Sequence, residues 1–285
     1  MARPPLAIVS GRGSLPRMIA EHCHETERAY LLILFEADPG DWVTCHPHQR
    51  HRFEKVGALF RALESFGAAE IVFAGAMDRP RLNPLAMDKR AMTIAARVMA
   101  MLRQGDDAML RGLGSVFEEA GIRVVGAADC LPPDKLVANP GVLGQHHPDA
   151  RARADARRAA AILRALGPVD VGQAAVVAGG VCLGIEAVEG TDALLDRVAA
   201  LPESKRDHAP PPAGVLLKMP KPGQDTRLDL PTIGPATARN AARAGLAGLV
   251  TEAAGVQILD RDALIGTADR AGLFLWSAAR DELEP

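Results

Sequence analysis

Short apolar runs alternate with longer amphipathic stretches along this chain, and that alternation confines the first half to an α/β architecture. Pro5–Ser10, Tyr30–Phe35, Glu70–Ala74 and Ile122–Val125 read as buried strands. Between them, Ser14–Glu25, Lys55–Phe66, Asp88–Arg103 and Asp107–Ala120 read as helices. In Lys55–Phe66 the apolar residues Val56, Leu59, Phe60 and Leu63 fall at helical spacing, and Gly67 stops the pattern. Strands apolar on both faces, alternating with helices, belong to a parallel sheet covered on both sides. Residues 1–130 are therefore expected to form a Rossmann-like α/β domain with a parallel sheet.

The chain changes character over residues 131–150, where Pro132, Pro133, Pro140, Gly141, Gly144 and Pro148 leave little periodicity, so this segment reads as a Pro/Gly-rich linker. Asp149–Leu166 is a strong helix former, and residues 151–285 then resume the α/β pattern. Ala174–Ala178, Val181–Ile185, Gly214–Met219, Gly248–Thr251, Val256–Leu259 and Leu273–Trp276 read as strands. Thr191–Leu201, with Thr191 as N-cap, Pro235–Ala244 and Asp260–Ala271 read as helices. A length of 285 residues agrees with two such domains, given about 150 residues for each.

Composition removes several classes of function. Thirty-three basic against 35 acidic side chains give a net charge of −2, too little field to hold a nucleic acid. The four cysteines, Cys23, Cys45, Cys130 and Cys182, show no C-x-x-C spacing, which argues against a structural zinc site and a disulfide framework. No run approaches the roughly 20 apolar residues of a membrane span, so a cytoplasmic protein is expected.

Two regions concentrate candidate chemistry. Gly11, Arg12, Gly13 and Ser14 lie between the first strand and helix, where backbone amides and a helix N-terminus can meet an anion. Pro16 stands where a dinucleotide fingerprint requires glycine, which rejects a standard NAD site and leaves a tight turn and a phosphate contact both open. Arg79 and Arg81 leave the same end of the sheet and are open to phosphate or solvent. The histidines of Cys45–His51, broken by Pro47, read as a solvated loop rather than metal ligands, as do His146 and His147.

The denser region lies in the second half. Glu186, Glu189 and Asp192 surround Gly190 just before a helix. Lys218–Gly234 then gathers Lys218, Lys221, Gln224, Asp225, Arg227, Asp229 and Thr232 in a turn stiffened by Pro220, Pro222 and Pro231. Carboxylates beside cations suit a divalent cation bridging a phosphate, because Mg²⁺ takes carboxylate, phosphate and water ligands. A polar surface loop satisfied by its own ion pairs is the competing reading.

The motif Lys221–Gly234 resembles the LpxI family of UDP-2,3-diacylglucosamine pyrophosphatases. Gly11–Pro16, Glu186–Asp192 and Ala268–Phe274 extend the likeness over nearly the whole chain. The resemblance implies a hydrolase of lipid A biosynthesis that cleaves UDP-2,3-diacylglucosamine to 2,3-diacylglucosamine 1-phosphate (lipid X) and UMP. It also implies Mg²⁺ or a similar divalent cation, two α/β domains closing over the lipid, and a homodimer. Asp225 falls at the family's essential acidic position, where it would bind the metal or orient the water. Glu186, Glu189 and Asp192 would share the metal, while Lys218 and Lys221, with Arg227, would offset phosphate charge. Gly11, Arg12, Gly13, Ser14, Arg79, Thr191, Gln224, Arg227 and Thr232 are the expected substrate contacts. The resemblance favours attack at the lipid-side phosphorus and peripheral contact at the inner membrane. A non-catalytic nucleotide- or lipid-sensing binding protein is the alternative.

Overall fold

The computed structural model describes residues 3–35, 40–77, 82–102, 106–205 and 213–284. The chain divides into two compact units: residues 1–131 together with Asp225–Asp229, and residues 132–224 together with 230–285.

The first unit runs β1 (Leu6–Ser10), α1 (Leu15–Glu25), β2 (Tyr30–Leu34), β3 (His48–Arg50), α2 (Val56–Phe66), β4 (Glu70–Ala74), α3 (Lys89–Leu102), α4 (Asp106–Glu118), β5 (Arg123–Val124) and a single turn, α5 (Ala127–Cys130). Its sheet is parallel throughout, in the order β3-β2-β1-β4-β5, as the strand–helix alternation requires. The central strand β1 is fully buried, with Ile8 opposite Leu32 on one side and Val72 on the other. One strand escapes the sequence pattern. His48–Arg50 is an edge strand beside β2 rather than a loop, and its three residues are exposed, so it carries no apolar signal.

Glu70, only 5% exposed, opens β4 and forms ion pairs with Arg28 and Arg123, tying the amino ends of β2, β4 and β5 together. Arg28 Nε also donates to the Pro4 carbonyl at 3.0 Å. All four cysteines are free: Cys23 and Cys130 are buried, and burial pushes the Cys130 thiol up to about 12.

The second unit runs α6 (Pro133–Leu136), β6 (Gly141–Val142), α7 (Ala150–Leu166), β7 (Ala174–Ala178), β8 (Val181–Ile185), α8 (Gly190–Ala199), β9 (Val215–Lys218), β10 (Thr232–Ile233), α9 (Pro235–Arg243), β11 (Gly248–Glu252), β12 (Gln257–Ile258), α10 (Arg261–Arg270) and β13 (Phe274–Ala278). Its main sheet has the order β6-β13-β11-β9-β7-β8, with β9, β11 and β13 parallel and the outer strands antiparallel. Successive residues point to opposite faces: Ala175, Val177, Val215 and Leu217 meet the alanine ridge of α7, while Ala174, Val176 and Leu216 meet α8 and α9. The segment expected as a linker is folded into this unit: β6 pairs with β13, and Ala138 is buried in the core. Gly179 and Gly180, both at positive φ, close the β7–β8 hairpin, and their amides donate to the buried Asp155 carboxylate at 3.0 and 2.7 Å.

Replacing Glu70 leaves the Arg28 guanidinium buried without its counter-charge. Glu70→Ala is expected to lower the unfolding free energy of the first unit by about 3–5 kcal/mol, read from the denaturant midpoint, and an unchanged midpoint would show that the pair is dispensable.

Candidate functional site

In an open parallel sheet, ligands sit beyond the carboxyl ends of the strands where the strand order reverses, here between β1 and β4. The loops leaving these strands are stitched together by backbone. Gly11 N donates to Ala74 O at 2.7 Å, Arg12 N to Ala76 O at 2.8 Å, and Ala76 N to Arg12 O at 3.1 Å. A Cβ on Gly11 would lie 2.6 Å from Ala76 O, and one on Gly75 would lie 2.3 Å from Arg12 O. Glycine at 11 therefore serves a loop-to-loop contact, and the amides of Gly11 and Arg12 are already spent. Gly13, at φ +99°, stands in open space just before Ser14, the N-cap residue of α1. Arg79 lies outside the described residues.

In the second unit, three of the expected residues meet at the carboxyl end of β9. Lys218 and Glu186 are each 8% exposed. Lys218 Nζ donates to Thr191 Oγ1 at 2.7 Å, and Thr191 Oγ1 donates to Glu186 Oε1 at 2.6 Å. The ammonium lies 4.0 Å from that same carboxylate oxygen, while Glu186 Oε2 accepts the Gln173 amide at 3.0 Å. Gly172, at positive φ, makes room for the Glu186 backbone: a Cβ there would lie 2.0 Å from Glu186 O. Thr191 is thus a member of the first turn of α8 whose hydroxyl joins a cation to a carboxylate. The N-cap position falls to Glu189 instead.

The expected metal set does not assemble around one cation. Glu186 is occupied as described, Glu189 pairs with Arg197 at 2.5 Å, and Asp192 accepts from Asn240 Nδ2 at 2.8 Å. Among the described residues no group of three His, Cys, Asp or Glu side chains is placed to hold a metal ion. These acids, turned to separate partners, do not fit a shared Mg²⁺.

The motif that follows β9 divides within itself. Pro220 packs against Gly255 and Pro222 against Gly167, seating the first part on the second unit. Lys221 forms an ion pair with Asp170, and its amide donates to Gln224 Oε1 at 2.9 Å, so Gln224 closes a turn. Asp225–Asp229 then belong to the first unit. Asp225 Oδ1 accepts the Arg227 amide at 3.1 Å and Nε at 3.0 Å, and Oδ2 accepts Nη2 at 2.7 Å. Arg227 Nη1 also donates to Glu118 at 2.8 Å, and Leu228 is buried among Val116, Phe117 and Ile122. Thr232 returns to the second unit, where its hydroxyl donates to Leu230 O at 3.1 Å. Sequence reasoning missed Glu118, Asp170 and Gln173. No local signal ties Asp170 to Lys221, 51 residues later.

The Arg227 guanidinium, bonded to both oxygens, holds the Asp225 carboxyl below the usual carboxylate range, helped by the Arg227 amide and by Arg111. A carboxylate so stabilised is a weak proton acceptor and a strong, permanently charged hydrogen-bond acceptor.

Both halves of the chain match family models: residues 5–133 the LpxI N-terminal domain and residues 139–276 the LpxI C-terminal domain. The chain is 40% identical over 270 residues, 95% of its length and 96% of the relative's, to UDP-2,3-diacylglucosamine pyrophosphatase LpxI of Caulobacter vibrioides.

The Asp225 carboxyl is expected to titrate below the ordinary aspartate range, read by side-chain carbon chemical shift, and to move upward in Arg227→Met. Because the folded value is depressed, its contribution to stability is complete above the unfolded value and is lost as pH falls through the folded one. An Asp225 midpoint unmoved in Arg227→Met would remove Arg227 as the cause.

Proposed function

We propose that this chain, which belongs to the LpxI family, hydrolyses the diphosphate of UDP-2,3-diacylglucosamine to 2,3-diacylglucosamine 1-phosphate and UMP as a step of lipid A biosynthesis. The structural observation that carries this reading is the buried Lys218–Thr191–Glu186 chain at the carboxyl end of β9. A buried ion pair is weak evidence for stability, and its position at a strand terminus is where α/β proteins place their chemistry.

Hydrolysis adds one water. The water oxygen bonds to a phosphorus, the bridging P–O bond breaks, and the water's protons leave on the two phosphate products or the solvent. Attack at the lipid-side phosphorus places the water oxygen in the lipid phosphate and expels UMP. Lys218, aimed by Thr191, offsets charge on the phosphoryl oxygens, whereas Lys221 is paired with Asp170 and Arg227 with Asp225 and Glu118. Asp225, held charged by Arg227, orients the attacking water through a hydrogen bond rather than taking its proton as a strong base. Glu186 acts through Thr191 on the ammonium rather than on a metal. Mg²⁺, when bound, would offset charge on the diphosphate, and Glu186, Glu189 and Asp192, each turned to its own partner, are not placed to share it.

The two acyl chains of the substrate set a further requirement. No helix among the described residues is long and apolar enough to cross a membrane. The lipid would therefore reach the protein by peripheral contact with a membrane surface.

Incubation with UDP-2,3-diacylglucosamine and Mg²⁺ is expected to release UMP, and ¹⁸O from labelled water is expected in the lipid phosphate. Binding without UMP release would overturn the hydrolytic reading. Asp225→Asn and Lys218→Met are each expected to lower kcat by about 10²–10³ with the fold intact by circular dichroism, and near-full turnover in either would remove that residue from the chemistry.

A further inference from the structure

The first unit carries an apolar projection that its own core does not use. Among the described residues seven large apolar side chains stand exposed, and four of them, Met77, Leu82, Leu85 and Met92, fall within one short stretch of the first unit. Singly exposed apolar residues are ordinary, whereas a cluster in one segment marks a surface that meets something. Leu85 is the extreme case at 98% exposed. It sits in a single 3₁₀ turn, Pro84–Ala86, with Asn83 Oδ1 accepting the Leu85 amide at 3.1 Å. That turn is fastened at both ends. The Asn83 amide donates to Glu54 Oε1 at 3.2 Å, the Asp88 amide donates to Glu54 O at 2.9 Å, and the Gly57 amide donates to Asp88 Oδ2 at 2.8 Å. The projection is therefore a held structure at the start of α2, with its leucine turned to solvent.

Beside it runs a groove of about 1090 Å³ whose charged lining is Lys55, Arg61, Lys89 and Arg90 against Glu64 and Asp88, a surplus of two positive charges. Asp88 is turned inward: its oxygens accept the amides of Ala91 and Gly57 at 2.8 Å each. The guanidinium of the exposed Arg90 stacks on the Phe60 ring, 3.5 Å from its centroid.

We propose that the Leu82–Met92 edge of the first unit docks on an anionic phospholipid surface, with Leu85 and Met92 entering the acyl boundary and Lys55, Arg61, Lys89 and Arg90 facing the lipid phosphates. The inference deepens the reading of a diacylated substrate and rests on it for its purpose, since such a lipid is presented by a bilayer. Its evidence is separate, being the exposed apolar tip and the charge beside it. Long cationic side chains around an apolar tip match the layering of a membrane interface, phosphate outside and hydrocarbon beneath. The attraction between exposed cations and lipid phosphates weakens as salt rises.

The test is co-sedimentation of the full chain with vesicles of phosphatidylcholine, with and without phosphatidylglycerol. The wild-type chain is expected to bind the anionic vesicles and to be released as salt rises. Leu85→Glu is expected to weaken partitioning by at least about tenfold, and Lys89→Gln or Arg90→Gln by about fivefold each. All three variants are expected to keep wild-type turnover on substrate dispersed in detergent. Equal binding of wild type and variants, or no preference for anionic vesicles, overturns the proposal. So does a change of oligomeric mass in Leu85→Glu by light scattering, which would give the surface to a second copy. Failure of the functional reading shows separately, as absent UMP release from dispersed substrate by the wild-type chain.

Discussion

Burial of Leu228 withdraws one leucine side chain from water, about 1.5–3 kcal/mol, and it does so in a segment whose flanks on both sides belong to the other unit. Gly114 offers no side chain at that point: a Cβ there would lie 3.1 Å from Leu228 Cδ1. Seating Leu228 fixes the preceding residues. The Leu228 and Asp229 amides both donate to Asp225 O, at 3.0 and 3.2 Å, while the Asp225 side chain turns onto the Arg227 amide. This Asx turn presents both carboxylate oxygens to the Arg227 guanidinium, which reaches on to Glu118. The charge state and aim of Asp225 thus follow from apolar packing three residues away.

Periodicity made most of the fold legible. β7 and β8 fall at the bounds that their apolar runs imply, and α7 starts at the Asp149 cap, whose carboxylate accepts the Ala152 amide at 2.7 Å. The parallel first sheet follows from strands that are apolar on both faces. What periodicity does not encode was lost. β3 is a polar edge strand, held by the backbone of β2 rather than by any buried side chain. Segment 131–150 looks unstructured because its single strand pair and short helical turn are satisfied by β13 and the second core, remote in sequence.

The candidate site was legible by residue type and illegible by partner. Glu186, Glu189 and Asp192 crowd a few positions of sequence, yet helical and loop geometry turns each toward a different neighbour. Glycines left a tight turn and an anion cradle both open at Gly11, and the demand that only glycine meets there is close backbone approach to Ala76. Spacing reports which functional groups are available. It does not report which hydrogen bonds they have already made, and that separates a ligand set from a set of structural pairs.

The Lys218 chain shows why such pairs still bear on chemistry. Taking an ammonium out of water costs several kcal/mol, and here Thr191 and Glu186 offset that cost with a short hydrogen bond and a carboxylate 4.0 Å away. An apolar side chain of similar volume would need none of this support, because Leu216 and Leu217 just before it are buried without any. Apolar packing alone therefore does not account for a lysine at the end of the sheet. What lysine adds is a positive charge in a largely water-excluded place, where its field on a phosphoryl oxygen is stronger than in solvent. Thr191 fixes the direction of that field, and Glu186 holds Thr191. Stability explains the strand, and on the proposed reading the charge at its end serves the phosphoryl oxygens.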